Sequence, residues 1–118
     1  MAKGSGRNDL VYLMDIIECI QKIELYTDKL TESEFFQNTE KQDAVLRRIE
    51  IIGEAVKGVS SGIREDHPNI PWRDIAGMRD IIIHNYFGVS VGLVWRVATK
   101  DLPELKSEFE KVVQALRK

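Results

Sequence analysis

The segment from Trp72 to Tyr86 (WRDIAGMRDIIIHNY) carries the residue types with the most chemical potential in this chain. Arg79 is followed after four residues by His84, and Tyr86 stands two positions further on. An arginine presents a planar charged fork that matches phosphate oxygens, and a histidine exchanges protons near neutral pH. The pair could cleave a phosphodiester without a metal. The imidazole would move the proton of a ribose 2′-hydroxyl or of the leaving oxygen, and the guanidinium would stabilise charge on the phosphoryl group.

The spacing of this pair raises a geometric question. A five-residue step turns an ideal helix by ~140°, so Arg79 and His84 do not share a face. Three solutions are open: the helix ends or distorts near His84, the Arg79 side chain reaches round it, or the site forms at a two-fold axis between two copies. Gly88 favours an early helix end. The same spacing also occurs among ordinary surface and packing residues, so it does not decide the function alone.

Glu54 is a second polar residue that needs an explanation. It follows Gly53 on an otherwise apolar predicted helix. A buried carboxylate needs a partner, and Arg79 is a suitable one. A solvent-facing position for Glu54 is the equal alternative.

The elements that must position these residues are predicted to be helices. Apolar residues recur at steps of three and four along most of the chain, and no alternating strand pattern is present. The predicted elements are a helix from Arg7 to about Asp28, a turn with Phe35 and Phe36, a helix from Thr39 to near Gly58, a linker over residues 64–71, a helix from about Ile70 to Tyr86, an apolar turn over residues 91–97 and a last helix after Asp101.

Capping residues support several of these boundaries. Thr31 and Glu34 form a capping-box pattern, and Thr39 repeats the signal before the next helix. Asn69 is predicted to cap the motif helix. Asp101 is predicted to cap the last helix, with a proline in its first turn.

These elements predict an all-α, four-to-five-helix up-and-down bundle in one domain. Residues 7–118 would form the domain and residues 1–6 a flexible tail. The first and third helices are apolar on more than one side, which favours a homodimer. A wider core within one monomer is the alternative.

Composition excludes several classes of protein. The chain has 118 residues and a net charge of −2, so it has no global charge for binding nucleic acid. Its single cysteine, Cys19, cannot form an internal disulfide or a cysteine-based metal site, and its apolar surroundings predict a buried, inert thiol. We predict no metal and no cofactor. No apolar run approaches the ~20 residues that cross a bilayer and no signal segment is apparent, so a cytoplasmic protein is expected.

Together with its flanks, the motif resembles the signature of the HEPN superfamily, and most closely its HepT branch, whose motif is R-x4-H-x-Y. Residues 52–55 (IGEA) resemble a family segment on the preceding helix, and Pro71 with Trp72 opens the motif helix as in relatives. Trp95 followed by residues 101–105 (DLPEL) matches the C-terminal stretch. The resemblance covers nearly the whole chain after residue 6.

This resemblance implies a function that composition does not show. HepT-like proteins are dimeric, metal-independent endoribonucleases and act as toxins of toxin–antitoxin modules. Carried over by position, Arg79 and His84 would be catalytic, and Asp80 would be auxiliary, as would Glu54 if it pairs with Arg79. Tyr86 would accept AMP from the partner antitoxin, an MNT-type nucleotidyltransferase, and this modification would silence the nuclease.

Two other functions remain as alternatives to RNA cleavage. The chain could be a non-catalytic module that presents Tyr86 or a nucleotide site to a nucleotidyltransferase, or a structural helical dimer without chemistry. Because the net charge is negative, RNA binding would depend on a local patch. Arg73, Arg79 and Arg96 are candidate donors for such a patch.

Overall fold

A computed structural model describes residues 5–86 and 91–118, and the side chains at positions 8–78, 80 and 91–118. All regular structure in these ranges is helical, which confirms the all-α class. The long helices are α1, α3, α5 and α7, as expected for four main helices with shorter accessory elements. The bounds are α1 (Ser5–Thr27), α2 (Glu32–Phe36), α3 (Thr39–Gly58), α4 (Ser61–Asp66), α5 (Trp72–Tyr86), α6 (Val91–Arg96), a π-helical turn (Val97–Asp101) and α7 (Leu102–Leu116).

The N-terminal helix begins earlier than the sequence pattern suggests. Ser5 and Gly6, which were assigned to the flexible tail, are the first two residues of α1. The remaining four residues of that predicted tail lie outside the described ranges. Among the described residues, no helix combines the length and the apolar character that a membrane crossing requires.

Helix α3 is the centre of the bundle. It packs against both α1 and α5. The predicted stripe of Val45, Ile49, Ile52 and Val56 is fully or almost fully buried. These two neighbouring helices account for the wide apolar face of α3.

Helix α1 leaves part of its apolar surface uncovered in the monomer. Leu13, Ile16 and Ile20 are completely buried, whereas Val11 is 55% exposed and Met14 is 41% exposed. A second copy could cover this surface, so a homodimer stays a prediction.

The short helix α2 forms as its capping box predicts. The Glu34 backbone N–H donates to Thr31 Oγ1 at 3.1 Å, and the Thr31 backbone N–H donates to Glu34 Oε1 at 2.9 Å. The cap of α3 lies one residue earlier than predicted: Asn38 Oδ1, not Thr39, accepts from the Lys41 N–H at 3.0 Å.

The predicted linker after α3 is partly helical. Ser60 caps α4, and its Oγ accepts from the Ile63 N–H. The carboxylate of Asp9, only 2% exposed, accepts from the Ser60 N–H and hydroxyl, each at 2.8 Å. A buried carboxylate with two donors is satisfied, so this contact joins the start of α1 to the turn between α3 and α4.

Two aromatic residues anchor the start of α5. The Trp72 indole N–H donates to the His67 carbonyl at 2.9 Å, and its ring packs edge-on against Phe109 of α7 with centroids 5.7 Å apart. The predicted cap by Asn69 is wrong, because its amide instead donates to Glu108 Oε1 at 2.6 Å. Helix α5 accordingly begins at Trp72, two residues later than predicted.

The C-terminal helices form a nearly continuous rod. Asp101 does not cap α7: its backbone is helical (φ −68°, ψ −49°) and its side chain makes no capping bond. The Leu102 N–H donates to the Val97 carbonyl, five residues back, which is the wider spacing of a π-turn. Because the turn accommodates one extra residue, Val97 and Leu102 both face the core, where each is at most 5% exposed.

Candidate functional site

The backbone of α5 contains all three motif positions in one uninterrupted helix. It is helical from Trp72 through Tyr86 and thus extends two residues past His84. An early helix end near His84 is therefore wrong. Gly88, which favoured an early helix end, lies outside the described residues, as do the side chains at positions 79 and 81–86. Their positions around the axis of α5 therefore follow from the helical repeat of its backbone.

Arg79 and Tyr86 occupy one stripe of α5. They are seven residues apart, which returns to within ~20° of the same direction around the axis. Four residues before Arg79 comes Ile75, which is 3% exposed, and seven residues before it comes Trp72, which is 7% exposed. Positions 79 and 86 therefore continue the stripe that begins with buried residues at the start of the helix.

Position 84 belongs to a different stripe. It follows Arg73 by eleven residues and Asp80 by four, so the three positions fall within about 40° of one another. The side chains of Arg73 and Asp80 are exposed. A Cβ added at Gly77, which lies between them in sequence, would meet no described atom outside the backbone of α5 within 4 Å. The two proposed catalytic positions are thus on separate sides of a continuous helix. Two of the ways to bring them together remain: the long Arg79 side chain reaches round the helix, or the site forms at a two-fold axis between two copies.

Glu54 takes the solvent-facing alternative. Its side chain is 65% exposed, and Oε2 lies 3.6 Å from Nζ of Lys57, one turn further along α3. Its neighbours Gly53 and Ala55 are buried, so the helix directs position 54 outward. Glu54 is therefore not a buried carboxylate that needs Arg79 as its partner.

Cys19, the single cysteine of the chain, does not form a second reactive site. Cys19 is 2% exposed, which confirms the predicted burial. Burial raises the pKa of its thiol, and the guanidinium of Arg48, 3.9 Å from Sγ, opposes this only in part. The thiol therefore stays protonated at neutral pH and has little nucleophilic character. No group of three metal-binding side chains occurs within the described ranges.

An open cleft of about 600 Å³ lies where α4 meets the start of α5. We call it the α4–α5 cleft. Arg64 comes from α4 and was absent from the sequence-based candidates because that helix was predicted to be a linker. The lining polar side chains are Ser61, Arg64, Glu65, Arg73 and Asp74.

A second groove lies between α5 and α7 and has a different character. Its floor includes Ile75 and Leu102, while Asp74, Asp101 and Glu104 contribute carboxylates. None of its described lining side chains is basic, and the three carboxylates oppose the binding of phosphate.

Comparison with known proteins assigns the chain to a family. The family model described as "Ribonuclease HepT-like" matches residues 16–112, a range that includes all of α5. The chain belongs to the HepT-like ribonuclease family. The resemblance noticed in the R-x4-H-x-Y segment and its flanks is therefore supported at the level of the family.

Relatives of this HepT-like chain carry ribonuclease names. A Methanocaldococcus jannaschii protein named "Gamma-glutamylcyclotransferase and putative RNase" is 51% identical over 108 residues, which are 92% of this chain and 49% of that protein. "Probable ribonuclease HepT" of Thermococcus cleftensis is 46% identical over 101 residues, 86% of this chain and 92% of that protein. A second M. jannaschii protein, "Putative RNase", is 44% identical over 108 residues, 92% and 89% respectively. The chain thus spans about half of the first relative and most of the other two. No solved structure matches it.

Proposed function

We propose that this HepT-like chain is a metal-independent endoribonuclease and the toxin of a HEPN/MNT toxin–antitoxin module. The observation that carries the proposal is the family match over the helix that contains Arg79, His84 and Tyr86. The ribonuclease names of its relatives support RNA as the substrate.

The proposed reaction uses the neighbouring ribose hydroxyl as the nucleophile. The imidazole of His84 takes the proton of the 2′-hydroxyl, the 2′-oxygen attacks the adjacent phosphorus, and the bond from phosphorus to the 5′-oxygen breaks. A protonated imidazole returns a proton to the leaving 5′-oxygen. The guanidinium of Arg79 stabilises the charge that accumulates on the phosphoryl oxygens. The products are a 2′,3′-cyclic phosphate and a 5′-hydroxyl end.

A two-fold dimer is our preferred arrangement of the site. Positions 79 and 84 lie ~140° apart on a helix that continues past both of them. If two α5 helices pair around a symmetry axis, each helix can contribute a different stripe to one cleft. The uncovered apolar residues Val11 and Met14 of α1 are consistent with association, although they need not line the same contact.

The direct test is RNA cleavage by the purified chain in the presence of a chelator. We expect single-stranded RNA to be cleaved at an unchanged rate in excess EDTA, because no step of the proposed reaction needs a metal. Gel analysis and mass spectrometry of the fragments would identify the cyclic phosphate ends. Loss of cleavage in EDTA with recovery on adding a divalent cation would contradict the mechanism. Absence of any cleavage, with binding of a nucleotidyltransferase retained, would favour the non-catalytic alternative.

The proposed switch is transfer of AMP to Tyr86. The phenolic oxygen attacks the α-phosphorus of ATP held by the nucleotidyltransferase, pyrophosphate leaves, and the phenolic proton passes to solvent. Tyr86 and Arg79 lie on one stripe, roughly 10 Å apart along the axis at 1.5 Å per residue. A tyrosine-linked AMP can span this distance, so its phosphate would compete with RNA for the guanidinium.

Co-expression with the neighbouring nucleotidyltransferase tests this switch. We expect the intact mass of the wild-type chain to rise in steps of one AMP and its RNA cleavage to fall. Tyr86→Phe should show neither change, because it lacks the attacking oxygen. Tyr12→Phe, which removes a partly exposed phenol from α1, is the matched control and should be modified like the wild type. AMP addition that persists in Tyr86→Phe would rule out this acceptor.

A further inference from the structure

The α4–α5 cleft contains two arginines that have no partner among the described residues. Neither Arg64 nor Arg73 makes a side-chain hydrogen bond or an ion pair with any residue in the described part of the chain. They line the same opening from two different helices. A guanidinium fork is suited to bidentate binding of phosphate oxygens, so the pair offers a place for an anion.

Arg64 shows a second sign of an absent ligand. Its Nε atom is buried and has no hydrogen-bond partner among the described residues. Buried polar atoms in native proteins are almost always paired, and an exception calls for an ion, a water or a ligand. A phosphate oxygen in the cleft would satisfy this donor once the Arg64 side chain turned its Nε toward the opening.

The register of α5 connects the cleft with the proposed cleavage site. Arg73 and position 84 lie on one stripe, eleven residues or roughly 16 Å apart. Gly77 lies between them, and the space where its Cβ would be is open. A stacked strand advances ~3.4 Å per nucleotide, so a few nucleotides cover the distance. An RNA strand can thus pass from position 84 over Gly77 to the cleft.

We propose that the α4–α5 cleft binds a backbone phosphate of the RNA substrate a few nucleotides from the linkage that is cleaved. This inference rests on the proposed ribonuclease function. Arg64 and Arg73 hold the phosphate, while Glu65 and Asp74 in the same lining oppose it. Among the described lining residues, two anionic side chains offset the two arginines, which keeps the contact weak. The cleft therefore positions a strand that is also held at the cleavage site and does not bind free phosphate tightly.

Binding of a fluorescein-labelled oligouridylate measures this contact without cleavage, if His84→Ala is present throughout. Replacing Arg64 and Arg73 together by Gln should lower the affinity. Loss of one phosphate contact on a single strand reduces the magnitude of the slope of log association constant against log salt by about 0.7. If variant and parent bind equally at 1 M salt, the variant therefore binds about fivefold more weakly than the parent at 0.1 M salt. Glu65→Gln should strengthen binding, because it removes an opposing charge.

A control pair separates local contact from net charge. Lys29→Gln with Lys118→Gln removes the same two charges from exposed positions outside the cleft lining. We expect this pair to retain the affinity and salt slope of the parent. Equal loss in both pairs would overturn the inference, as would an unchanged salt slope in the arginine pair. Thermal unfolding confirms that each variant is folded, and Arg64→Lys with Arg73→Lys should recover part of the binding by keeping the charge.

Cleavage kinetics on two substrate lengths tests the positioning role. With the wild-type active site, the arginine pair should raise KM for a long oligonucleotide while kcat is retained, because a remote contact contributes equally to ground-state and transition-state binding. Cleavage of a dinucleotide, which cannot reach the cleft, should be unchanged. Equal losses on both substrates would overturn the inference. If the wild type cleaves no RNA, the proposed function fails, and the binding experiment still decides whether the cleft holds an RNA phosphate.

Discussion

His84→Ala is expected to lower RNA cleavage by about 10²–10⁴-fold, the usual contribution of general acid–base catalysis. The substitution removes the group that moves the proton of the 2′-hydroxyl, and no other imidazole lies on α5. Arg79→Ala should lower kcat by about 10²–10³-fold, as expected when one donor to a developing oxyanion is lost. Because both groups act on one transition state, the double variant should lose far less than the product of the two effects.

His67→Ala is the matched control for these variants. It removes the only other imidazole of the chain, and His67 contributes its backbone carbonyl, not its ring, to the contact with Trp72. Initial rates on a labelled single-stranded RNA, with thermal unfolding measured in parallel, should show a normal rate for the control. If Arg79→Ala and His84→Ala both cleave RNA at the wild-type rate, the proposed site is excluded.

Phe109→Ala is expected to lower the free energy of unfolding by about 3–5 kcal/mol, the range for truncating a buried phenylalanine. The ring of Phe109 is completely buried and packs edge-on against Trp72. Its loss leaves a cavity beneath the first residue of α5. The start of the helix that carries the motif would therefore lose the aromatic contact that attaches it to α7.

Urea denaturation followed by circular dichroism measures this effect. Leu25→Ala is the control, since Leu25 is 73% exposed and its truncation should change the free energy of unfolding by no more than about 0.5 kcal/mol. Phe109→Leu should have an intermediate cost because it retains most of the apolar volume. A loss below about 1 kcal/mol in Phe109→Ala would show that the cavity collapses and that this ring contributes little.

The helices that carry the fold could be predicted closely from sequence. The C-terminal ends of α1 and α5 fall within one residue of the predicted positions, and α3 begins at Thr39, the residue that was predicted to cap it. The capping box at Thr31 also forms. Such features depend on residues within one or two helical turns, so periodicity and local hydrogen-bonding patterns are sufficient to find them.

Predictions were weaker for short polar segments whose side chains form hydrogen bonds with residues distant in sequence. Asn69 has the residue type of a helix cap but donates to Glu108, 39 positions away. Helix α4 was missed because its six residues include only one apolar side chain of substantial size, Ile63. Its position depends on the contact of Ser60 with Asp9, 51 residues earlier. No local pattern encodes a contact between such distant residues.

Residue types at short, regular spacing were sufficient to predict the helical class, the apolar stripes and the helix that carries Arg79, His84 and Tyr86. The packing of separate helices instead placed Glu54 in solvent and brought Arg64 and Arg73 to one cleft. Burial and proximity between separate helices depend on how their axes pack against one another. Side-chain spacing within a single helix does not specify that packing.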